Sequence, residues 1–183
     1  MILDPPNLLA RRMGTTAHIS PLLQKARRFR LNSPDDLELL ALARGLRYFG
    51  KPDKAQEISA ESFSNEELLI ALISPSAPYS LNRIRMAGAL LAANDISLEK
   101  IIHLSRQERC EAIIRHIAHC ATMIEPENPF WNKLLKAMPD KQTVPVDVLP
   151  HVTRFTAMTG ITRDGINQKS QWIRPILVDD IKK

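Results

Sequence analysis

The sequence contains few of the residues that build β-rich, disulfide-rich or membrane-spanning proteins. Only 6 of the 183 residues are glycine, which leaves little material for tight β-hairpins or for a phosphate-binding glycine loop. Aromatic residues make up 5%, so leucine, isoleucine and alanine have to fill the core. Two cysteines are too few for a disulfide framework, and no apolar run reaches the roughly 18 residues of a membrane span. These shortages favour a globular, helical protein.

Acidic residues are absent between Asp4 and Asp35, a stretch that carries six basic residues. The net charge of +5 arises from residues 1–54, which hold ten basic and five acidic side chains, whereas the remaining residues balance. Such an asymmetry indicates that charge governs what the first third of the chain associates with. The N-terminal residues do not form a secretory signal pattern. An organellar leader has a similar composition, but the early pair Pro5–Pro6 interrupts an amphipathic helix, so we expect a cytoplasmic protein.

Helix-start signals recur along the chain. Ser-Pro or Asn-Pro pairs at 20–21, 33–34 and 128–129 place a capping side chain before a first-turn proline, and Ser80 and Ser97 are further caps. The stretches 64–67 and 105–108 match the capping box, in which a serine and a glutamate satisfy each other's end amides. With the apolar periodicity, these signals predict eight helices, at 21–31, 34–49, 65–73, 81–93, 97–104, 106–123, 130–138 and 151–158.

We therefore expect a single all-α domain, built as an irregular multi-helix bundle of stacked antiparallel helix pairs that is similar to an α-solenoid. Residues 64–74 and 81–93 form one expected helix pair, and residues 97–104 and 106–123 form another. Because no fixed-period repeat is present, a bundle is favoured over a true repeat array. The chain divides into a basic N-terminal arm and helix (1–32), a helical core (33–158), and a turn plus an extended C-terminal arm (159–183).

The predicted helix 106–123 carries most of the side chains that could perform chemistry. Its apolar face includes Cys110, with Cys120 at the edge, and we interpret both as small core residues. His116 lies one turn before Cys120, but two ligands do not complete a structural zinc site. The opposite, solvated face carries Glu108, Glu111, Arg115 and His119. We expect no metal and no cofactor here.

Motifs for nucleophilic catalysis, nucleotide binding or zinc proteolysis do not occur in the sequence. We therefore expect a protein without catalytic residues. One catalytic alternative stays open, a dispersed site formed by Glu111, His116 and His119.

Arginines in the first third form the main candidate binding site. On helix 21–31, Arg27 and Arg28 lie opposite the apolar stripe. The full candidate set is Arg27, Arg28, Arg30, Arg44 and Arg47. Such a cluster is either a solvated helix face or a binding site for an acidic protein partner, nucleic-acid phosphates or an anionic membrane surface. Few aromatic residues accompany the arginines, which disfavours base stacking with a single strand.

The C-terminal arm is too apolar to lie free in water without cost. Its docking residues are Trp172, Ile173, Ile176 and Leu177. Pro175 interrupts this stretch, which predicts an extended arm or an edge strand. Two alternatives stay open: the arm folds back over its own helices, or it docks on a second copy of the chain and forms a homodimer.

The sequence is most consistent with a non-catalytic helical domain that acts as an interaction, scaffold or regulatory protein for a protein partner of unknown identity, with an acidic partner as one alternative. The alternative is a nucleic-acid-binding protein that uses the basic first third on phosphates.

Overall fold

The computed structural model describes residues 8–44, 46, 63–93, 95–140, 145 and 148–149. Within these residues the chain forms eight helices and no β-strand, which confirms the expected all-α multi-helix bundle. The helices are α1 (Leu9–Arg12), α2 (Pro21–Arg28), α3 (Pro34–Ala43), α4 (Asn65–Leu72), α5 (Leu81–Leu91), α6 (Leu98–Gln107), α7 (Glu111–Thr122) and α8 (Pro129–Ala137). The predicted helix 151–158 and the C-terminal arm lie outside the described residues.

Six of these helices begin at the polar residue that the sequence indicates. In each case the side chain accepts a hydrogen bond from a first-turn backbone amide; the residues are Ser20, Ser33, Ser64, Ser80, Ser97 and Asn128. Ser33 and Ser64 form complete capping boxes, with Asp36 and Glu67 respectively. Because these bonds join near neighbours in the chain, local sequence determines where most of the helices start.

Helix α4 lies at the centre of the described bundle. Six of its eight residues are buried, and it contacts α2, α3, α5 and α6, most extensively α5. The pairing of α4 with α5 agrees with the first expected helix pair. Ala87, Gly88 and Ala89 of α5 are all buried, and such small side chains let neighbouring backbone approach closely.

Helix α7 packs more extensively against α8 than against α6, its expected partner. Trp131 of α8 is fully buried, and its indole N–H donates to Oε2 of Glu125 at 2.6 Å. This bond satisfies the polar edge of the largest side chain in the core, so the indole can be buried without an orphaned donor.

The boundary between α6 and α7 differs from the prediction. Ser105 does not cap a helix that opens at 106; it lies in the last turn of α6, and its hydroxyl donates to the carbonyl of Ile102 at 3.0 Å. The amide of Cys110 donates to the carbonyl of Ser105 at 2.9 Å, and Arg109 has a φ of 56°. These are features of a Schellman C-terminus, in which a left-handed residue closes the helix. Residues 105–108 therefore end one helix, and α7 starts at Glu111.

The side chain of Glu108 is buried, and its expected place on a solvated helix face is wrong. Its Oε1 atom accepts the backbone amide of Leu22 at 2.9 Å, from a residue 86 positions earlier in the chain. The carboxylate thus binds at the first turn of α2, where helix amides favour negative charge. Because the partner is so distant in sequence, no local pattern identifies this role.

Residues 8–14 form an element that the sequence analysis did not predict. The amides of Leu9 and Ala10 donate to the carbonyls of Ala77 and Pro75, at 2.9 and 2.8 Å, so α1 is attached to the α4–α5 connection. Leu9 belongs to the same buried cluster as the side chains of α2 to α8. This part of the basic N-terminal third therefore contributes to the core.

Helix α3 ends at Ala43, earlier than the predicted 34–49, and Arg44 is its C-cap residue. The amide of Leu46 donates to the carbonyl of Ala41 at 3.1 Å, which closes the end of this helix. Residues 47–62 lie outside the described part of the chain.

Candidate binding surface

Helix α2 separates its apolar and basic side chains as the sequence predicts. Leu22 and Ala26 are buried, whereas Arg27 and Arg28 are exposed. Arg30, two residues beyond the helix, is also exposed and adopts a left-handed conformation with a φ of 64°. We refer to Arg27, Arg28 and Arg30 as the α2 arginine surface.

Two backbone hydrogen bonds fix the chain direction at this end of α2. The amide of Leu31 donates to the carbonyl of Ala26 at 3.1 Å, and the amide of Arg30 donates to the carbonyl of Arg27 at 3.0 Å. This is again a Schellman arrangement, with an arginine where glycine is usual. Cations near a helix C-terminus interact favourably with its dipole, so the α2 arginine surface is compatible with the local field.

The remaining cation of α2 takes part in contacts within the protein. Lys25 Nζ lies 2.6 Å from Oε1 of Glu67 on α4, and 6.0 and 5.9 Å from the ring centroids of Phe29 and Phe63. In contrast, the described residues offer no ion-pair partner to Arg27, Arg28 or Arg30. Within the described residues, no carboxylate therefore neutralises the positive charge of the α2 arginine surface, which faces solvent.

The structure corrects the expectation for Arg44, which is buried and only 8% exposed. Its guanidinium donates to Oδ1 of Asn65 at 2.9 Å and to the backbone carbonyl of Phe63. Burial lowers the pKa of Arg44 from its ordinary value, and the nearby charge of Glu67 acts in the opposite direction. Arg44 joins the end of α3 to the start of α4, and it does not belong to the exposed arginine surface.

Arg47 and the four docking residues of the C-terminal arm, Trp172, Ile173, Ile176 and Leu177, lie outside the described residues. Their binding roles stay predictions.

Two further exposed arginines, Arg11 and Arg12, end α1. The guanidinium carbon of Arg12 lies 5.0 Å from the ring centroid of Tyr79, and the Tyr79 hydroxyl donates to the carbonyl of Val148 at 2.9 Å. No motif in the sequence assigns Arg11 and Arg12 to a site. The sequence feature that points to them is the stretch without acidic residues in which they lie.

In the row of ionisable residues on α7, His119 is exposed and Glu111 and His116 are half-buried, and the catalytic alternative that they define stays a prediction. Arg115 turns to the end of α8, where it donates to the carbonyls of Leu135 at 2.9 Å and Met138 at 3.2 Å. Its guanidinium also lies 2.6 Å from the carboxylate of Asp140. Arg115 of α7 therefore caps the C-terminal end of α8.

His116 and Cys120 are brought together, with Nε2 and Sγ 3.6 Å apart. Burial raises the pKa of the Cys120 thiol to about 12, which keeps the sulfur protonated and poorly nucleophilic at neutral pH. Within the described part of the chain, no three His, Cys, Asp or Glu side chains cluster as a metal site. None of the described helices is long and apolar enough to span a membrane.

No family model, curated protein or solved structure matches this chain. Of the five arginines named from the sequence, the structure places Arg27, Arg28 and Arg30 at one end of α2 and directs Arg44 into the protein.

Proposed function

We propose that the protein is a non-catalytic binding domain whose α2 arginine surface docks an acidic segment of a partner protein. The observation that carries this proposal is the exposure of Arg27, Arg28 and Arg30 within a stretch that contains no acidic residue from 5 to 34. Arginine guanidinium groups form paired hydrogen bonds with carboxylates, which makes an acidic peptide a suitable ligand.

The small extent of this surface favours a protein partner over nucleic acid. Helix α2 has eight residues, a length of about 12 Å. Once Arg44 is excluded, the α2 arginine surface offers three arginines, fewer than the roughly six to ten phosphate contacts that give a strongly salt-dependent affinity for nucleic acid. Nucleic acid is therefore the alternative outcome of the test below.

A cytoplasmic location is part of this proposal. Both cysteines, Cys110 and Cys120, are free and buried, as expected for a protein of a reducing compartment.

The test is binding of a fluorescent glutamate-rich peptide, with a duplex DNA of mixed sequence and a single-stranded RNA as comparison probes. The variant R27Q/R28Q should weaken peptide binding by about 2- to 30-fold, since each exposed ion pair contributes about 0.2–1 kcal/mol. The matched control is K133Q/K136Q, which removes two exposed cations from α8 and should leave binding unchanged.

Three results would contradict the proposal of an acidic protein partner. Peptide binding could be undetectable at low salt, or the two double variants could weaken it equally. A strong, salt-sensitive affinity for DNA or RNA that depends on Arg27 and Arg28 would instead establish the nucleic-acid alternative.

A further inference from the structure

Ile19, which precedes the cap of α2, is the most exposed large hydrophobic side chain of the described residues. It is 80% exposed, compared with 57% for Met123. A hydrophobic residue one position before a helix cap often packs against the residue five positions later, and this contact covers it. In α2 that residue is Gln24, which is polar and itself exposed. The sequence of α2 therefore leaves Ile19 without this apolar contact.

Hydrogen bonds hold the backbone on both sides of Ile19. Ser76 of the α4–α5 connection donates to the carbonyl of His18, the preceding residue. Ser20, the following residue, caps α2 by accepting the amide of Leu23 at 3.0 Å. Turning the side chain of Ile19 into the protein would therefore require that these contacts break.

Ile19 and the α2 arginine surface lie along one exposed side of α2. Ser20 is buried and extended, with φ −77° and ψ 115°, so its neighbours Ile19 and Pro21 point away from the bundle. Pro21, Gln24 and Arg28 are spaced for one face of the helix, and all three are exposed. At 1.5 Å of rise per residue, Pro21 and Arg28 are about 10 Å apart along the helix axis. This side of α2 thus has an apolar end and a basic end.

We propose that the acidic segment of the partner also carries an apolar side chain, which packs on Ile19 and Pro21 while its carboxylates pair with Arg27 and Arg28. This inference rests on the proposed function and specifies its ligand. The charge of the basic end requires carboxylates on the partner, and segments rich in like charges repel internally and are extended. An extended segment covers about 10 Å in about three residues. The apolar residue should therefore lie about three positions from the acidic ones.

The two ends of this surface contribute to affinity in different ways. Exposed ion pairs with the arginines weaken as salt is added, whereas burial of apolar surface is not screened. The β-branched side chain of Ile19 is restricted at χ1, so it loses little conformational freedom when a partner covers it. The contribution of Ile19 should therefore persist at salt concentrations that reduce the contribution of the arginines.

The experiment measures the affinity of the full chain for two fluorescent peptides with the same run of glutamates. One carries a leucine three residues before the first glutamate, and the other carries a serine at that place. The leucine peptide should bind the wild type about 3- to 30-fold more tightly, at low and at high salt. Ile19→Ser should bind both peptides equally, and it should fold normally because Ile19 is exposed. The matched control is Met123→Ser, which removes the other exposed large hydrophobic side chain of the described residues and should keep the preference for leucine.

Equal affinity of the wild type for the two peptides would overturn the inference, as would a preference for leucine that Ile19→Ser keeps or Met123→Ser loses. The variant R27Q/R28Q separates these outcomes from a failure of the proposed function, because it should weaken both peptides by a similar factor. If the peptides bind equally and R27Q/R28Q still weakens them, this inference alone is wrong. If neither peptide binds, or if R27Q/R28Q binds both like the wild type, the proposed function is wrong and this inference with it.

Discussion

Replacing Arg44 with methionine distinguishes a structural role of this side chain from a binding role. Methionine retains much of the apolar length of arginine but provides no donor for the carbonyl of Phe63 or for Oδ1 of Asn65. Hydrogen bonds that involve a charged group contribute about 1.5–3 kcal/mol each. Removing the buried guanidinium also relieves its desolvation cost, so we expect a net loss of about 2–3 kcal/mol in the free energy of unfolding.

In a chain of 183 residues this loss corresponds to a melting temperature lower by about 4–12 °C. Urea unfolding followed by far-ultraviolet circular dichroism measures the free energy, and a thermal scan gives the temperature. Arg27→Met is the matched control: Arg27 is exposed, so this variant should change stability by no more than about 0.5 kcal/mol.

The two variants should also differ in peptide binding, where Arg27→Met should have the larger effect. Arg44→Met should bind the glutamate-rich peptide like the wild type under conditions in which it is folded, and Arg27→Met should bind it more weakly. If Arg44→Met unfolds no more easily than Arg27→Met, the reasoning from burial and hydrogen bonding is refuted. If it retains stability but loses affinity, Arg44 belongs to the binding surface after all.

Two further predictions concern the cysteines and the C-terminal arm. Since burial raises the pKa of Cys120 to about 12 and also raises that of Cys110, iodoacetamide at about pH 8 should alkylate both thiols in urea but neither in the folded protein. Rapid labelling of the native chain, read by mass spectrometry, would contradict this. If the C-terminal arm docks on a second copy of the chain, the full-length variant W172A/I176S should have a lower mass than the wild type by light scattering. A wild type that is monomeric at every concentration tested would reject the homodimer.

The features that could be predicted from the sequence are those whose physical cause is local. Ser20, Ser64 and Asn128 cap helices through amides at most three residues away, so their patterns identify the helix starts correctly. Helix ends were harder to predict. Arg30 and Arg109 adopt the left-handed conformation for which glycine is the usual signal, and an arginine gives no such indication.

The predictions for Glu108 and Arg44 were wrong because their hydrogen-bond partners lie far away in the chain. Glu108 has the spacing of a capping-box residue, but its carboxylate binds the amide of Leu22 on a different helix. Arg44 resembles a surface cation in sequence, and its acceptors at Phe63 and Asn65 become adjacent only after α3 and α4 pack together. Charge and periodicity describe one element at a time, so they correctly place Arg27 and Arg28 but do not reveal which polar residues are internal.

The central position of α4 has a consequence for how the protein opens. A helix that contacts four others and buries six of its eight residues cannot detach alone without exposing most of its apolar surface. Its amide protons should therefore exchange with solvent only when the whole bundle unfolds, whereas the four-residue α1 can open in local fluctuations. The most and the least protected of these helices are neighbours in space, because α1 is hydrogen-bonded to the connection that directly follows α4.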